Sequence, residues 1–128
     1  MAVRVVRLGS ARHAHEGLRI GTVRRPPRGV PKTEFPTQNW YDVWFPTLAP
    51  TVATVTLGRA AATPAQWARF EKQYRAEMSA PEPRQALALL AALSHTTNFS
   101  VGCYCDDEAR CHRAVLRALL AEHGAAIA

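Results

Sequence analysis

Three short segments of the chain place hydrophobic residues at alternate positions. Val3 to Leu8 is rich in β-branched residues, Leu18 to Val23 alternates apolar with polar residues, and Asn98 to Cys105 keeps its apolar side chains on one side. A period of two is typical of a β-strand, because successive side chains point to opposite faces. We therefore predict three strands.

Other segments repeat hydrophobic residues at helical spacing. Thr63 and Pro64 are residues that begin helices, and an apolar stripe follows them at Trp67, Phe70, Tyr74 and Met78. A second helix is predicted from about Pro83 to Leu93, and a third from near Ala109 to His123, where Gly124 ends it. The stripes are expected to face the core.

The order of these elements predicts the class of fold. Strands separated by helices pair in parallel through helical crossovers. A chain of 128 residues is the usual size of one domain. We predict a single three-layer α/β domain over residues 1–128, with a small, mostly parallel sheet flanked by helices.

Two segments between the strands and helices carry a different pattern. Arg24 to Pro36 contains four prolines, which remove backbone donors, so a long loop is predicted, and such loops often cover or bind something. Asn39 to Phe45 is dense in aromatic residues. A partly buried packing cluster is the favoured interpretation of its Trp40 and Trp44, with stacking against a base or sugar as the alternative.

The positive charge of the chain lies at its amino end. Residues 1–32 carry eight basic residues against Glu16 alone, a net +7, whereas the whole chain is +6. Such asymmetry favours an anionic partner, either a small molecule or nucleic acid. The alternative is that arginine merely replaces lysine throughout, since the chain has 14 arginines and 2 lysines.

Hydropathy and cysteine usage exclude other classes. No apolar run is long enough for a membrane span, and no signal peptide is recognisable, so no membrane association is expected. The three cysteines lie within nine residues of one another, unlike a secreted disulfide framework. A location in the reducing cytosol is the expectation.

The stretch from Cys103 to Arg113 is the candidate functional site. It holds three thiols, an imidazole, three carboxylates and two guanidinium groups, between a predicted strand and the last helix. Ligands of open parallel sheets bind beyond the carboxyl ends of strands, where helix N-termini also point. Cys103 is also interpretable as strand packing and Asp106 or Asp107 as a helix cap.

Several chemistries fit this stretch. Cys105 is a candidate nucleophile whose pKa is lowered by the helix N-terminus and by Arg110 or His112. Glu108 and His112 are candidates for proton transfer to a ligand whose phosphate is bound by Arg110 and Arg113. Alternatively Cys105, Cys111 and His112 are ligand types for zinc or iron, although the spacing matches no paired Cys-x-x-Cys pattern. A third alternative is a reversible redox pair of Cys105 and Cys111.

A fourth interpretation uses the basic residues. Arg110 and Arg113 near the helix start are candidates for binding a phosphate, together with the loop around Arg28 and Lys32. This hypothesis explains the charge asymmetry as well as the motif. It makes the ligand anionic and nucleotide-like.

The strand ending in Cys105, the acidic turn and Cys111-His112-Arg113 resemble the signature of the domain of unknown function 488 family. Further segments are similar to its YeaO-related branch: Arg28-Gly29-Val30-Pro31-Lys32, Tyr41 to Trp44, Leu48-Ala49-Pro50 and the helix with Trp67, Phe70, Tyr74, Glu77 and Met78. The resemblance implies a compact three-layer α/β domain and one site formed by both signature segments.

The resemblance supplies no activity. The leading hypothesis is therefore a small enzyme or ligand-binding domain for an anionic, nucleotide-like ligand, with its pocket between the Arg24 to Lys32 loop and the Cys105 to Arg113 turn. The alternative is a metal-binding or thiol-redox-sensing module without catalysis.

Overall fold

The strands form one parallel sheet. A computed structural model describes all 128 residues and contains β1 (Val3–Arg7), β2 (Leu18–Gly21), β3 (Val43–Trp44) and β4 (Phe99–Cys103). The order across the sheet is β1-β4-β2-β3, and every neighbouring pair is parallel. The predicted α/β class is confirmed, and the three predicted strands are found in slightly shorter form.

Four α-helices accompany the sheet: α1 (Val52–Ala60), α2 (Pro64–Met78), α3 (Pro81–Leu93) and α4 (His112–Glu122). Short 3-10 turns lie at Lys32–Glu34, Pro46–Leu48 and Glu108–Arg110. None of the helices has the length and apolar character needed to cross a membrane.

The start of α2 follows from its sequence. The Thr63 hydroxyl accepts a hydrogen bond from the Gln66 backbone amide, and the Gln66 side chain accepts one from the Thr63 amide. This capping box satisfies two amides that the helix cannot bond internally. Pro64 occupies the first turn, where its missing amide proton costs nothing.

Helix α1 and strand β3 were not predicted. The nine residues of α1 include β-branched valines and threonines and Gly58, all weak helix formers. Tertiary contacts support it instead: Glu77 of α2 accepts hydrogen bonds from the hydroxyls of Thr51, at 2.8 Å, and Thr54, at 2.6 Å. With only two residues, β3 is too short to show alternation.

The last helix begins later than its periodicity predicted. Glu108–Arg110 forms a separate 3-10 turn, capped by the Asp107 carboxylate, which accepts a hydrogen bond from the Ala109 amide at 3.0 Å. Cys111 is then extended, with φ −139° and ψ 154°, and α4 starts at His112. Cys111 therefore joins the two elements: its amide donates to the Glu108 carbonyl of the 3-10 turn, and its carbonyl accepts from the Ala114 amide of α4.

The helices cover one face of the sheet. In the register, Val3 of β1 and Leu18 of β2 both lie opposite Phe99, while Ile20 lies opposite Val101. These side chains share a face. The main hydrophobic core forms there from Val3, Ile20, Phe99 and Val101 with buried residues of α2, α3 and α4.

Loops and a buried ion pair cover the opposite face. Arg19 of β2 is completely buried there and bonds to both carboxylate oxygens of Glu16, which also accepts a hydrogen bond from Ser100 at 2.6 Å. Tyr41 packs closely over Gly21 on the same face, where a Cβ atom would collide with its ring.

Candidate functional site

A large cleft opens at the carboxyl ends of β1, β2 and β4. Its volume is about 1180 Å³, and residues 23–28, α1 and the start of α4 form its walls. This edge of a parallel sheet is where such folds bind ligands, because loops and helix N-termini meet there. The loop around Arg28 and the Cys105 to Cys111 turn therefore line one cavity.

The charged lining of the cleft is entirely basic. No aspartate or glutamate lines it, whereas six arginines do: Arg7, Arg24, Arg25, Arg28, Arg59 and Arg110. Arg24 donates to the carbonyls of residues 49 and 50, Arg110 donates to that of residue 61, and Arg7 pairs with Asp106.

Three of these arginines have no protein partner. The guanidinium groups of Arg25, Arg28 and Arg59 form neither a hydrogen bond nor an ion pair, and all three residues are exposed. Their donors remain free to bind oxygen atoms of a ligand. Guanidinium groups match phosphate and carboxylate geometry well.

Aromatic rings line the same cleft. Trp40 packs edge-on against Tyr104, with centroids 5.9 Å apart, and Trp67 packs against Phe70 at 4.6 Å. The Tyr104 hydroxyl donates to the Arg25 carbonyl at 2.8 Å and so fastens the basic loop to the end of β4. The predicted partial burial is found for Trp40, which is half-buried at the cleft, whereas Trp44 is 44% exposed.

The floor of the cleft holds a thiol–imidazole cluster, formed by Cys103, Cys111 and His112. Cys103 is the last residue of β4, and the other two residues begin α4. The structure joins the sulfur atoms of Cys103 and Cys111 as a disulfide, and the three ligand atoms lie within 4.8 Å of one another. Both cysteines are buried.

The imidazole of this cluster has a fixed orientation. Its Nε2 lies 2.8 Å from the Thr22 carbonyl, to which it must donate, and its Nδ1 lies 3.9 Å from the Cys111 Sγ. Burial and the nearby Arg113 charge lower the pKa of His112 to about 4, against the opposing effect of the Thr22 hydrogen bond. The ring is therefore neutral near pH 7, with an unprotonated Nδ1 facing the sulfur.

Cys105 stands apart from the cluster. It lines the cleft as an exposed residue, whereas the cluster contains Cys103 in its place. Loss of solvent around its sulfur raises the pKa of the Cys105 thiol, against the opposing charges of Arg113 and Arg59. The structure thus does not bring together the predicted metal set of Cys105, Cys111 and His112, nor pair Cys105 with Cys111.

Three further predicted site residues lie outside the cleft lining. Glu108 makes two hydrogen bonds of 2.8 Å with Arg117, which hold its pKa below the ordinary value. Arg113 is 4% exposed and donates to the Cys105 carbonyl at 2.6 Å, so it supports the turn from beneath. Lys32 lies in an exposed 3-10 turn.

Two contributors to the cleft were missed from the sequence. Arg59 lies on α1, which the periodicity did not reveal, and Trp67 was assigned to a core stripe although it also lines the cleft. Cys103 was interpreted as packing, yet its sulfur meets that of Cys111. The only feature of the sequence that could have indicated this role for Cys103 was its position at the end of a strand, on the same predicted face as Cys105.

The fold and the cleft define a small parallel α/β protein with a basic, aromatic-lined cavity above a thiol–imidazole cluster. The chain belongs to the DUF488-N3a family, described as the active DUF488-N3 subclade, whose model matches residues 3–124. The resemblance to the domain of unknown function 488 family is therefore confirmed, and the YeaO-related likeness is compatible with it. No curated protein and no solved structure matches the chain.

Proposed function

We propose that the cleft binds a phosphorylated, nucleotide-like ligand, free or as part of a single-stranded nucleic acid. The observation that carries this proposal is the lining of six arginines without a carboxylate, three of them without protein partners. A buried phosphate needs charge-assisted donors, and exposed guanidinium groups provide them without disrupting the fold.

The aromatic rings favour a ligand that is planar as well as anionic. Trp40, Trp67 and Tyr104 line the same cavity as the free arginines. Stacking of a base on such rings is tolerant of sequence and adds to phosphate binding. An inorganic anion alone would leave these rings unused.

Chemistry on the bound ligand is part of the proposal, because the family is described as an active subclade. Cys105 and His112 are the candidate catalytic groups that reach the cleft. Cys105 is a thiol that requires activation on ligand binding, and His112 contributes a neutral ring whose Nδ1 faces Cys111 at the floor of the cleft. Glu108 is bonded to Arg117 and does not line the cleft, so its role in the proposal is to stabilise the 3-10 turn that contains it.

The test compares ligand binding by two variants that lose the same number of positive charges, one inside the cleft and one outside it. Titration of tryptophan fluorescence with nucleoside monophosphates and short single-stranded oligonucleotides is compared for the wild type, the triple variant Arg25→Ala/Arg28→Ala/Arg59→Ala, and a control triple variant Arg4→Ala/Arg69→Ala/Arg84→Ala. The control removes the same charge from residues that do not line the cleft.

We expect the cleft variant to lose at least about tenfold in affinity, since each charge-assisted hydrogen bond contributes roughly 1.5–3 kcal/mol. The control should lose much less, and only through the general field of the protein. Equal losses in the two variants, or no binding of any of these ligands by the wild type, would refute the proposal.

A further inference from the structure

We infer that Cys103, Cys111 and His112 form a three-ligand site for a thiophilic divalent ion such as zinc, whose fourth coordination position opens into the cleft. The site is built from side chains other than the arginines that carry the proposed function. It differs from the set suggested by the sequence, because Cys103 replaces Cys105.

The distances suit a shared ion. Thiolates bound tetrahedrally to zinc at about 2.3 Å lie about 3.8 Å apart, and imidazole nitrogen binds at about 2.0–2.1 Å. The three ligand atoms lie within 4.8 Å of one another, and reduction of the Cys103–Cys111 pair would free both thiolates to bind one ion together with His112. The Cα atoms of Cys103 and Cys111 are 7.9 Å apart, whereas disulfides usually span about 4.4–6.8 Å.

The backbone holds the three ligands before any ion binds. Cys103 ends β4, an inner strand of the sheet, and His112 is the first residue of α4. Cys111 lies in the bend between them, where its amide donates to the Glu108 carbonyl. Two of the three ligand positions are thus set by secondary structure, and ligands held in place lose less conformational freedom on binding.

The histidine already has the arrangement of a metal ligand. Its Nε2 donates to the Thr22 carbonyl, and this leaves Nδ1 directed toward Cys111. Metal-bound histidines ordinarily donate their other ring proton to a carbonyl or carboxylate, which fixes the tautomer. Thr22 is itself held to β4, because its amide and its hydroxyl both donate to the Gly102 carbonyl.

The open side of the cluster faces the basic cavity. All three ligands line the cleft, and no carboxylate there competes for the ion. Three protein ligands with an open position are typical of catalytic zinc, whereas structural zinc has four. Insofar as the cleft binds a phosphorylated ligand, a point that rests on the proposed function, the ion would coordinate one of its oxygen atoms or a water molecule.

The test uses full-length protein that is reduced, stripped with a chelator and freed of both reagents without exposure to air. Zinc content is measured after reloading, and cobalt(II) is titrated while the thiolate-to-metal charge-transfer absorption is followed. The variants are Cys103→Ser, Cys111→Ser and His112→Ala, with Cys105→Ser and His123→Ala as matched controls outside the cluster. Circular dichroism and thermal unfolding establish that each variant is folded.

We expect one equivalent of ion in the wild type and both controls, with a cobalt band that indicates two thiolates. Each cluster variant should bind at least about tenfold more weakly, and zinc should raise the unfolding temperature of the wild type but not that of the Cys103 variant. Absence of binding to the reduced wild type would overturn the inference. So would full binding by Cys103→Ser, or loss of binding in Cys105→Ser.

The two proposals fail separately. The triple variant lacking Arg25, Arg28 and Arg59 should retain the cobalt spectrum, because none of these side chains is a ligand. Conversely, fluorescence titration with nucleoside monophosphates in the presence of a chelator tests the arginine cleft alone. Loss of one property with retention of the other identifies which site is absent.

Discussion

Arginines in two regions of this molecule have opposite environments, one on the loop-covered face of the sheet and the others at the cleft beyond the strand ends. Arg19 is completely buried on the loop-covered face, and its guanidinium group makes four hydrogen bonds: two with Glu16 and one each with the carbonyls of Ser10 and Asn39. Arg25 and Arg28, only a few residues further along the chain, are exposed at the cleft and bond to nothing in the protein.

The comparison separates a structural arginine from arginines suited to a ligand. A buried charge is tolerated only when the fold supplies its partners, so the partners of Arg19 are part of the native structure. An exposed guanidinium group keeps its solvation and can exchange water for ligand oxygen atoms. Mutations at the buried pair should therefore lower the stability of the fold, whereas mutations of the exposed arginines should lower ligand affinity.

The largest effect is expected from breaking the buried pair. Glu16→Ala leaves the Arg19 charge buried without its carboxylate, which should lower the free energy of unfolding by about 3–5 kcal/mol. Urea denaturation measures this loss, and Arg28→Ala serves as the matched control with a change within about 0.5 kcal/mol. Similar unfolding midpoints for the two variants would contradict the distinction.

Acid should reproduce much of this effect. Although burial opposes it, hydrogen bonds from Arg19, Ser100 and the His13 amide, with the Arg19 charge, lower the pKa of Glu16 from 4.5 to about 2. Because the folded pKa lies below the unfolded one, the stabilisation is complete above pH 4.5 and lost as the pH falls toward 2. The difference between the unfolded and folded pKa values of Glu16 corresponds to about 3 kcal/mol in the free energy of unfolding.

Urea unfolding at a series of pH values between 5 and about 2 measures this dependence. The matched control is Glu16→Gln, which removes the titrating group and should flatten the corresponding part of the curve. An equally steep loss of stability in the Glu16→Gln variant would assign the acid sensitivity to other carboxylates.

A smaller effect is expected from one arginine of the cleft. Arg28→Ala should weaken nucleoside monophosphate binding by about tenfold, or roughly 1.4 kcal/mol, since one charge-assisted contact is lost. Fluorescence titration measures this change, with Arg84→Ala as the control. An unchanged dissociation constant would remove Arg28 from the binding surface.

The smallest effect is expected from the half-exposed pair of Glu108 and Arg117. Glu108→Gln should change the free energy of unfolding by no more than about 1 kcal/mol, because solvent screens such pairs. Ligand affinity should stay the same, since Glu108 does not line the cleft. A large drop in ligand affinity with an unchanged free energy of unfolding would show that Glu108 belongs to the binding site.

The candidate site was only partly predictable from the sequence. The Cys103 to Arg113 stretch and the basic loop were singled out by composition, and the structure places Arg28, Cys105, Arg110, Cys111 and His112 along one cleft. Which cysteine joins the cluster depends on where β4 ends. Alternation continued to Cys105 in the sequence, but pairing stops at Cys103, so Cys105 leaves the sheet before it can face Cys111.

Elements whose stability is local or periodic can be predicted from the amino-acid sequence. The alternation of β1, β2 and β4 and the Thr63 cap of α2 depend on neighbouring residues, so they can be predicted without a fold. Helix α1 depends on Glu77 of another helix, and β3 depends on pairing with β2.

Which charges find partners and which remain free depends on contacts between distant segments of the chain. Arg19 and Arg28 belong to the same basic stretch of the chain, and the sequence separates them only as a strand residue near Glu16 and a residue of a proline-rich loop. Arg19 finds Glu16 and two carbonyls because β2 points its side chain beneath the loops, whereas Arg28 and Arg59 meet at a cleft formed by distant segments. Solvation and partners are properties of the folded surface, and they assign each arginine its role.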